Sequence, residues 1–277
     1  MIARLPAFLS GHAALSFGAL TLLMEIGVAV AAPVLYPGDP FDMVGAPMLR
    51  PFVDPAFPLG TDLLGRDLAA GLVHGARTSL IVALFASALS IALGGAVGVV
   101  AGYAGGWVDH LAMRICELFQ TIPHLLLALF VVAIWGATLE TIVVALASTA
   151  WPSVARLARA ETLLLRELDF VGAAVAMGAS DLRIVLTHIV PNAMPQVLAS
   201  ASILGATAIL AESGLAFLGL GDPNRMSWGS MIGGGREAVR SAYHLVLIPG
   251  AAVLVTVLAL NLVGDGLTAL SRPRSRR

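Results

Sequence analysis

The sequence predicts an all-α integral membrane protein of about six transmembrane helices, and three observations predict it. Of 277 residues, 58% are hydrophobic and only 12% charged, with a mean hydropathy of +0.91; soluble domains carry about 25% charged residues. Apolar runs long enough for a span of roughly 20 residues recur along the chain. The intervals between them collect most of the prolines and most of the charge. The net charge of −1 says nothing about partners.

Residues 1–12 read as a short cytoplasmic lead carrying Arg4, and 13–270 as the membrane domain. The first span covers about 13–36 and holds Glu25. A secretory signal peptide is the rival reading, because VAVAAP resembles a cleavage site; against it, the run is long for a signal core. A carboxylate in mid-span is costly and faces a cavity or a partner. Glu25 therefore reads as a pathway residue or as a paired structural group. Residues 37–76 form a solvated loop: six of the fifteen prolines lie between Pro37 and Pro58. It ends in PLGTDLLGRDL, where glycines punctuate a charged patch of Asp62, Arg66 and Asp67.

The second span runs over about 78–103. Gly94, Gly98 and Gly102 recur on one helical face as two overlapping G-x-x-x-G patterns, which predict close packing on another helix. Trp107, after Gly105-Gly106, suits the membrane interface. The third span opens in the amphipathic stretch LAMRICELFQTIPHLLLALFVVAIWG. Arg114 and Glu117 are spaced to pair, and Pro123 predicts a kink. His124 follows with no metal-ligand neighbour, so it reads as structural or pore-facing. The fourth span covers about 140–158 and the fifth about 196–220, with Glu212 near its far end. A second outer loop, 221–243, carries Trp228, Arg225, Arg236 and Arg240. The sixth span covers about 244–267, and the basic tail 271–277 holds four arginines.

Between spans four and five lies a polar helix-turn-helix, 161–192. Phe170, Ala173, Ala174 and Met177 fall on one face of a first short helix, and Leu182, Val185, Leu186 and Ile189 on one face of a second. Gly178-Ala179-Ser180 separates them, with Ser180 placed to cap the second helix and Pro191 to stop it. The segment reads as a handle for a soluble partner, or as a plain connection between two spans. Ten of the sixteen arginines (4, 114, 156, 159, 166, 183, 272, 274, 276 and 277) lie on the side of the termini and the handle. The positive-inside bias then puts both termini and the handle in the cytoplasm, and the proline-rich loop outside.

Several chemistries are missing. All sixteen basic residues are arginine, so the chain lacks the lysine of a phosphate-binding P-loop, and any ATP chemistry belongs to another subunit. The single Cys116 excludes an internal disulfide and a multi-cysteine metal site. There is no H-E-x-x-H and no G-x-S-x-G. Mid-span charges are few, mainly Glu25, Glu117 and Glu212, and no repeated halves are visible, which argues against an ion-gradient-driven secondary transporter. A helical pore subunit driven through its handle remains.

The segment DFVGAAVAMGASDLRIVLTHIVPNAMP resembles the cytoplasmic EAA loop of ABC importer permeases. Gly172-Ala173-Ala174 stands at the triplet, Gly178 at the motif glycine and Pro191 at the motif proline. PLGTDLLGRD, AGYAGGWVD, AESGLAFLGLG, MSWGSMI and LNLVGDGL resemble the dipeptide/oligopeptide/nickel branch, specifically its second, C-type permease. Together these stretches cover about 57–270. The sequence departs from the motif at Gly172, where the triplet has glutamate, although Glu167 and Asp169 lie just upstream. His188 also stands where an aliphatic residue is commoner.

The resemblance implies a permease subunit of a binding-protein-dependent ABC importer in a bacterial or archaeal plasma (inner) membrane. It would form half of a pathway for di- or oligopeptides, with nickel or a metal chelate as the alternative cargo. The implied partners are a second homologous permease, two ABC ATPase subunits, an extracytoplasmic substrate-binding protein and membrane lipid, with no nucleic acid. ATP and magnesium would sit on the ATPases, and this chain would hold no cofactor or metal and no catalytic residue. Phe170, Gly172, Ala173, Ala174, Met177, Gly178 and Pro191 would couple to an ATPase. Asp62, Arg66, Asp67 and Trp228 would meet the binding protein, and Glu25, Glu117, His124 and Glu212 would line the passage.

Overall fold

Within a bilayer every backbone N–H and C=O must be satisfied inside its own segment, and long apolar runs answer by becoming helices. The structure, a computed structural model, describes residues 5–271. Its helices are α1 (Leu5–Leu35), α2 (Leu68–Ala104), α3 (Gly106–Thr121), α4 (His124–Trp135), α5 (Leu139–Arg166) and α6 (Asp169–Ala176). They continue with α7 (Asp181–Ile184), a π-turn (Val185–Ile189), α8 (Val190–Ala199), α9 (Ala201–Phe217), α10 (Trp228–Gly235), a 3₁₀ turn (Arg236–Ala238) and α11 (His244–Ser271). Arg4 and the arginines of the tail lie outside the described residues.

Four stretches are long and apolar enough to cross a membrane unaided: Ala13–Leu35, Leu68–Ala104, Leu139–Arg166 and His244–Ala269. Two bent pairs, α3 with α4 at 85° and α7–α8 with α9 at 43°, bring the number to six if each pair is one span.

Several boundaries differ from the sequence expectation, each for a local reason. Helix α1 already begins at Leu5, inside the expected lead. Helix α2 starts at Leu68, because the Asp67 carboxylate accepts from the Ala69 N–H and caps it. The loop expected to reach residue 76 therefore ends at Asp67. At 37 residues α2 is about 55 Å long, well over the ~30 Å of hydrocarbon. The kink expected at Pro123 is a full break: Ile122 is extended at φ −90°, ψ 129°, as a residue before proline prefers. Helix α4, at 12 residues, is about 18 Å long and cannot cross alone. Pro152 is accommodated inside α5, which runs on to Arg166 and shortens the handle. The outer loop 221–243 is not irregular throughout: Ser227 and Ser230 form a reciprocal capping box that starts α10.

The core is centred on α2 against α5, the most extensive helix pair. A Cβ on Gly94 would lie 2.7 Å from Val154 Cβ, one on Gly98 2.8 Å from Ala158 Cβ, and one on Gly102 2.8 Å from Thr162 Cβ. The glycine row thus brings the α2 backbone directly onto α5. Further pairings are α1 with α11 and α2 with α9.

Cross-links sort the connections between two ends of the bundle. At one end the His74 imidazole meets the Tyr36 carbonyl at 3.0 Å, the Leu139 N–H donates to Asp222 at 2.9 Å, and the Trp228 indole donates to the Leu72 carbonyl at 2.9 Å. At the opposite end the Tyr103 hydroxyl donates to Asp181 at 2.9 Å, and Arg166 donates to the Tyr103 carbonyl at 3.0 Å. The handle therefore sits at the end away from the proline-rich loop.

Candidate functional site

The handle is built from two short helices and a glycine turn. Asp169 opens α6, where a carboxylate complements the helix dipole. The helix ends in a Schellman motif: the Ala179 N–H reaches the Ala174 carbonyl at 3.1 Å and the Gly178 N–H reaches Val175 at 2.9 Å. Gly178 has φ +77°, which L side chains avoid. Nothing lies within 4 Å of where its Cβ would be, so backbone conformation, not space, demands glycine here. Ser180 occupies the N-cap position of α7, but its side chain makes no capping hydrogen bond.

Each helix has a buried and an open side. Val171, Ala174, Ile184 and Ile189 are buried in one apolar cluster with Ile91 and Val99 of α2 and Val154 and Ala158 of α5. The outer side carries Phe170 at 42% exposure and Met177 at 82%, with Gly172, Ala173, Val175 and Gly178 also exposed. The Phe170 ring tilts against His188 with centroids 6.0 Å apart. A surface open to a partner is thus joined directly to the side chains that pack α2 on α5.

Three expectations about the handle are corrected. Ala174 is 3% exposed and faces the core, so it cannot touch a partner. The second expected stripe splits: Leu182 and Leu186 are exposed, while Val185 is partly buried and Ile189 turns inward, joined there by Ile184, which the stripe omitted. Ile184 and Ile189 are five residues apart, and the π-turn between them, with Val190 N–H bonded to Val185, puts both on the core. Pro191 does not stop the helix: it follows the π-turn directly, and the helical run continues through it to Ala199.

Around the handle, Asp109 of α3 pairs with Arg159 of α5, with Nη2 to Oδ2 at 2.6 Å. This pair and the Tyr103–Asp181 bond join residues 50 and 78 positions apart, beyond the reach of any local pattern.

At the opposite end Asp62, Arg66 and Asp67 come together in a cavity of about 300 Å³ that Met226 and Met231 also line. Their carboxylates are engaged locally: Asp62 accepts from the N–H groups of Leu64 and Arg66, and Asp67 caps α2. The Arg66 guanidinium lies 5.0 Å over the Phe41 ring. Trp228 is 2% exposed, with its indole on Leu72 and its backbone N–H on Ser79. It anchors α10 on α2 and is no surface contact.

The four passage candidates are scattered. Glu212 is 2% exposed, sealed between α9 and α10, and accepts from the Ser227 hydroxyl at 2.6 Å, so burial removes it from any passage-facing surface in this conformation. Glu25 is half-buried facing α11, with one carboxylate oxygen enclosed. Glu117 is exposed and paired with Arg114 at 3.1 Å. His124 is exposed at the α3–α4 break.

Residues 94–277 match the family described as binding-protein-dependent transport system inner membrane component. The glutathione transport system permease protein GsiD of Pectobacterium atrosepticum is 37% identical over 268 residues, 96% of this chain and 89% of the relative. The di/tripeptide transport system permease protein DppC of Pseudomonas aeruginosa is 36% identical over 263 residues, covering 93% and 87%. Among solved structures, a chain from the inward-facing MetNI methionine ABC transporter matches with a TM-score of 0.60 at 20% identity, over 73% of this chain and 96% of that one. That likeness concerns the fold.

Proposed function

The chain belongs to the family of binding-protein-dependent transport system inner membrane components and is a permease subunit of an ABC importer, and from that premise we propose that it imports short peptides by passing the stroke of an ATPase through its handle. The observation that carries this reading is the two-sided construction of α6. Phe170, Ala173 and Met177 are open to a partner, while Val171 and Ala174 are held in the cluster that joins α2 to α5. Apolar anchors beside small residues suit a shallow groove on a partner protein. A force on this face reaches two spanning helices without passing through a flexible link, as rigid-body switching requires.

In this reading the handle is cytoplasmic, and the end carrying the proline-rich loop meets the substrate-binding protein. A second permease completes the passage, and ATP and magnesium stay on two ATPase subunits. Relatives named for glutathione and di/tripeptide transport favour a peptide cargo over nickel or a metal chelate. The test is Met177→Asp in the assembled transporter, with uptake and ATP hydrolysis measured side by side. Met177 is 82% exposed, so folding should survive the change. Uptake should fall at least tenfold, about 1.4 kcal/mol of coupling, with the subunit at normal abundance. Unchanged uptake together with unchanged ATP hydrolysis would remove the handle from the mechanism.

A further inference from the structure

An open groove of about 540 Å³ runs between α1, α2, α9 and α11. Ile26 and Val30 of α1, Leu84 of α2 and Leu260 of α11 line it. Its two hydroxyls are already committed, Ser87 to the Ala83 carbonyl at 2.7 Å and Ser202 to Ala199 at 3.2 Å. The wall therefore offers nothing to a polar occupant below its one charged residue.

That residue is Arg77, which is exposed and has no hydrogen-bond or ion-pair partner among the described residues. Its depth is set by its neighbours. His74 meets the Tyr36 carbonyl just past the end of α1, and Arg77 lies one turn further along α2, about 4.5 Å deeper. The first span ends at Leu35, so Arg77 stands close to the boundary of the hydrocarbon, where a long cationic side chain reaches headgroups. Between Arg77 and Ser87 the groove extends about 15 Å along α2.

We propose that this groove is a lipid site, which takes an acyl chain of an anionic phospholipid and holds the headgroup phosphate on the Arg77 guanidinium. Apolar walls fit the chain, and the planar guanidinium fits the phosphate with two parallel hydrogen bonds. The lipid belongs to the leaflet on the side of the proline-rich loop. It fills a space between α1 and the α2–α9 pair, so α1 is attached to the bundle partly through it.

The experiment uses the transporter assembled with its partner subunits, reconstituted in nanodiscs of phosphatidylglycerol and phosphatidylcholine with matched chains. Lipid retained after re-extraction in mild detergent is counted by mass spectrometry. The wild type should retain phosphatidylglycerol preferentially. Arg77→Gln should cut that preference about fivefold and leave phosphatidylcholine retention unchanged. Arg77→Lys should keep most of the preference, and Leu84→Trp, which fills the groove, should release both lipids. Equal retention in the wild type, Arg77→Gln and Leu84→Trp overturns the proposal, as does a preference lost in Arg77→Lys. A disulfide from Ile26→Cys to a cysteine of the second permease overturns it too, by placing a helix in the groove.

Discussion

At the scale of the residue, two positions have roles their sequence context did not disclose. Gly178 stands at the motif glycine of a coupling loop, yet its constraint is φ +77° in a Schellman turn. A β-branched residue there costs about 1–2 kcal/mol, whereas asparagine tolerates the left-handed region. Gly178→Val should therefore lower both uptake and the melting temperature of the complex, and Gly178→Asn should restore most of each. Equal behaviour of the two variants would sink the backbone explanation. Trp228 read as a loop residue near a partner, but its ring fills a site beside Gly75 with the indole N–H on Leu72. Trp228→Phe should cost about 1 kcal/mol for the lost hydrogen bond, and Trp228→Ala about 3–5 kcal/mol for the cavity. Thermal melting of the purified transporter separates the two; a phenylalanine variant as unstable as the alanine variant would show that the hydrogen bond, and not the ring, dominates.

At the scale of the element, what was legible followed local periods. The four-residue spacing of Gly94, Gly98 and Gly102 announces a close helix contact, and the structure supplies α5 as the partner. Adding one methyl at Gly98 places it 2.8 Å from Ala158 Cβ, and overpacking of this kind costs about 1–3 kcal/mol. Gly27 in α1 meets nothing within 4 Å, so Gly27→Ala should be neutral or mildly stabilising. A melting experiment that ranks Gly27→Ala below Gly98→Ala would contradict the packing. What was illegible depends on distant atoms. The π-turn at Val185–Ile189 forms because Ile184 and Ile189 must both reach the cluster around Val154, which no heptad or 3.6-residue pattern encodes. Helix α10 hid in a glycine-rich stretch because its capping box uses Ser230 where glutamate or glutamine is the usual signal. The break at Pro123 was visible as a proline, but its 85° angle is set by α3 leaning on α2 and α5.

At the scale of the whole molecule, the bundle has two ends, and the proposed orientation puts them in two compartments. Both assignments can be tested with the same thiol chemistry, because Cys116 is the chain's one cysteine and is fully buried among Trp151 and Ala155. An introduced cysteine is then read against a silent background. Ala56 lies exposed in the proline-rich loop and Met177 is 82% exposed on the handle. In intact cells a membrane-impermeant maleimide should label Ala56→Cys and spare Met177→Cys; after permeabilisation it should label both. An ATPase docked on α6 as proposed would add a second layer to the result. If Met177 sits under that partner, its labelling in permeabilised membranes should rise severalfold once the ATPase subunits are stripped away, while Ala56→Cys should not change. Labelling of Met177→Cys in intact cells would invert the bundle and place the handle on the wrong side of the membrane for an ATP-driven partner. Equal labelling before and after stripping would leave the orientation standing but detach the ATPase from the α6 face.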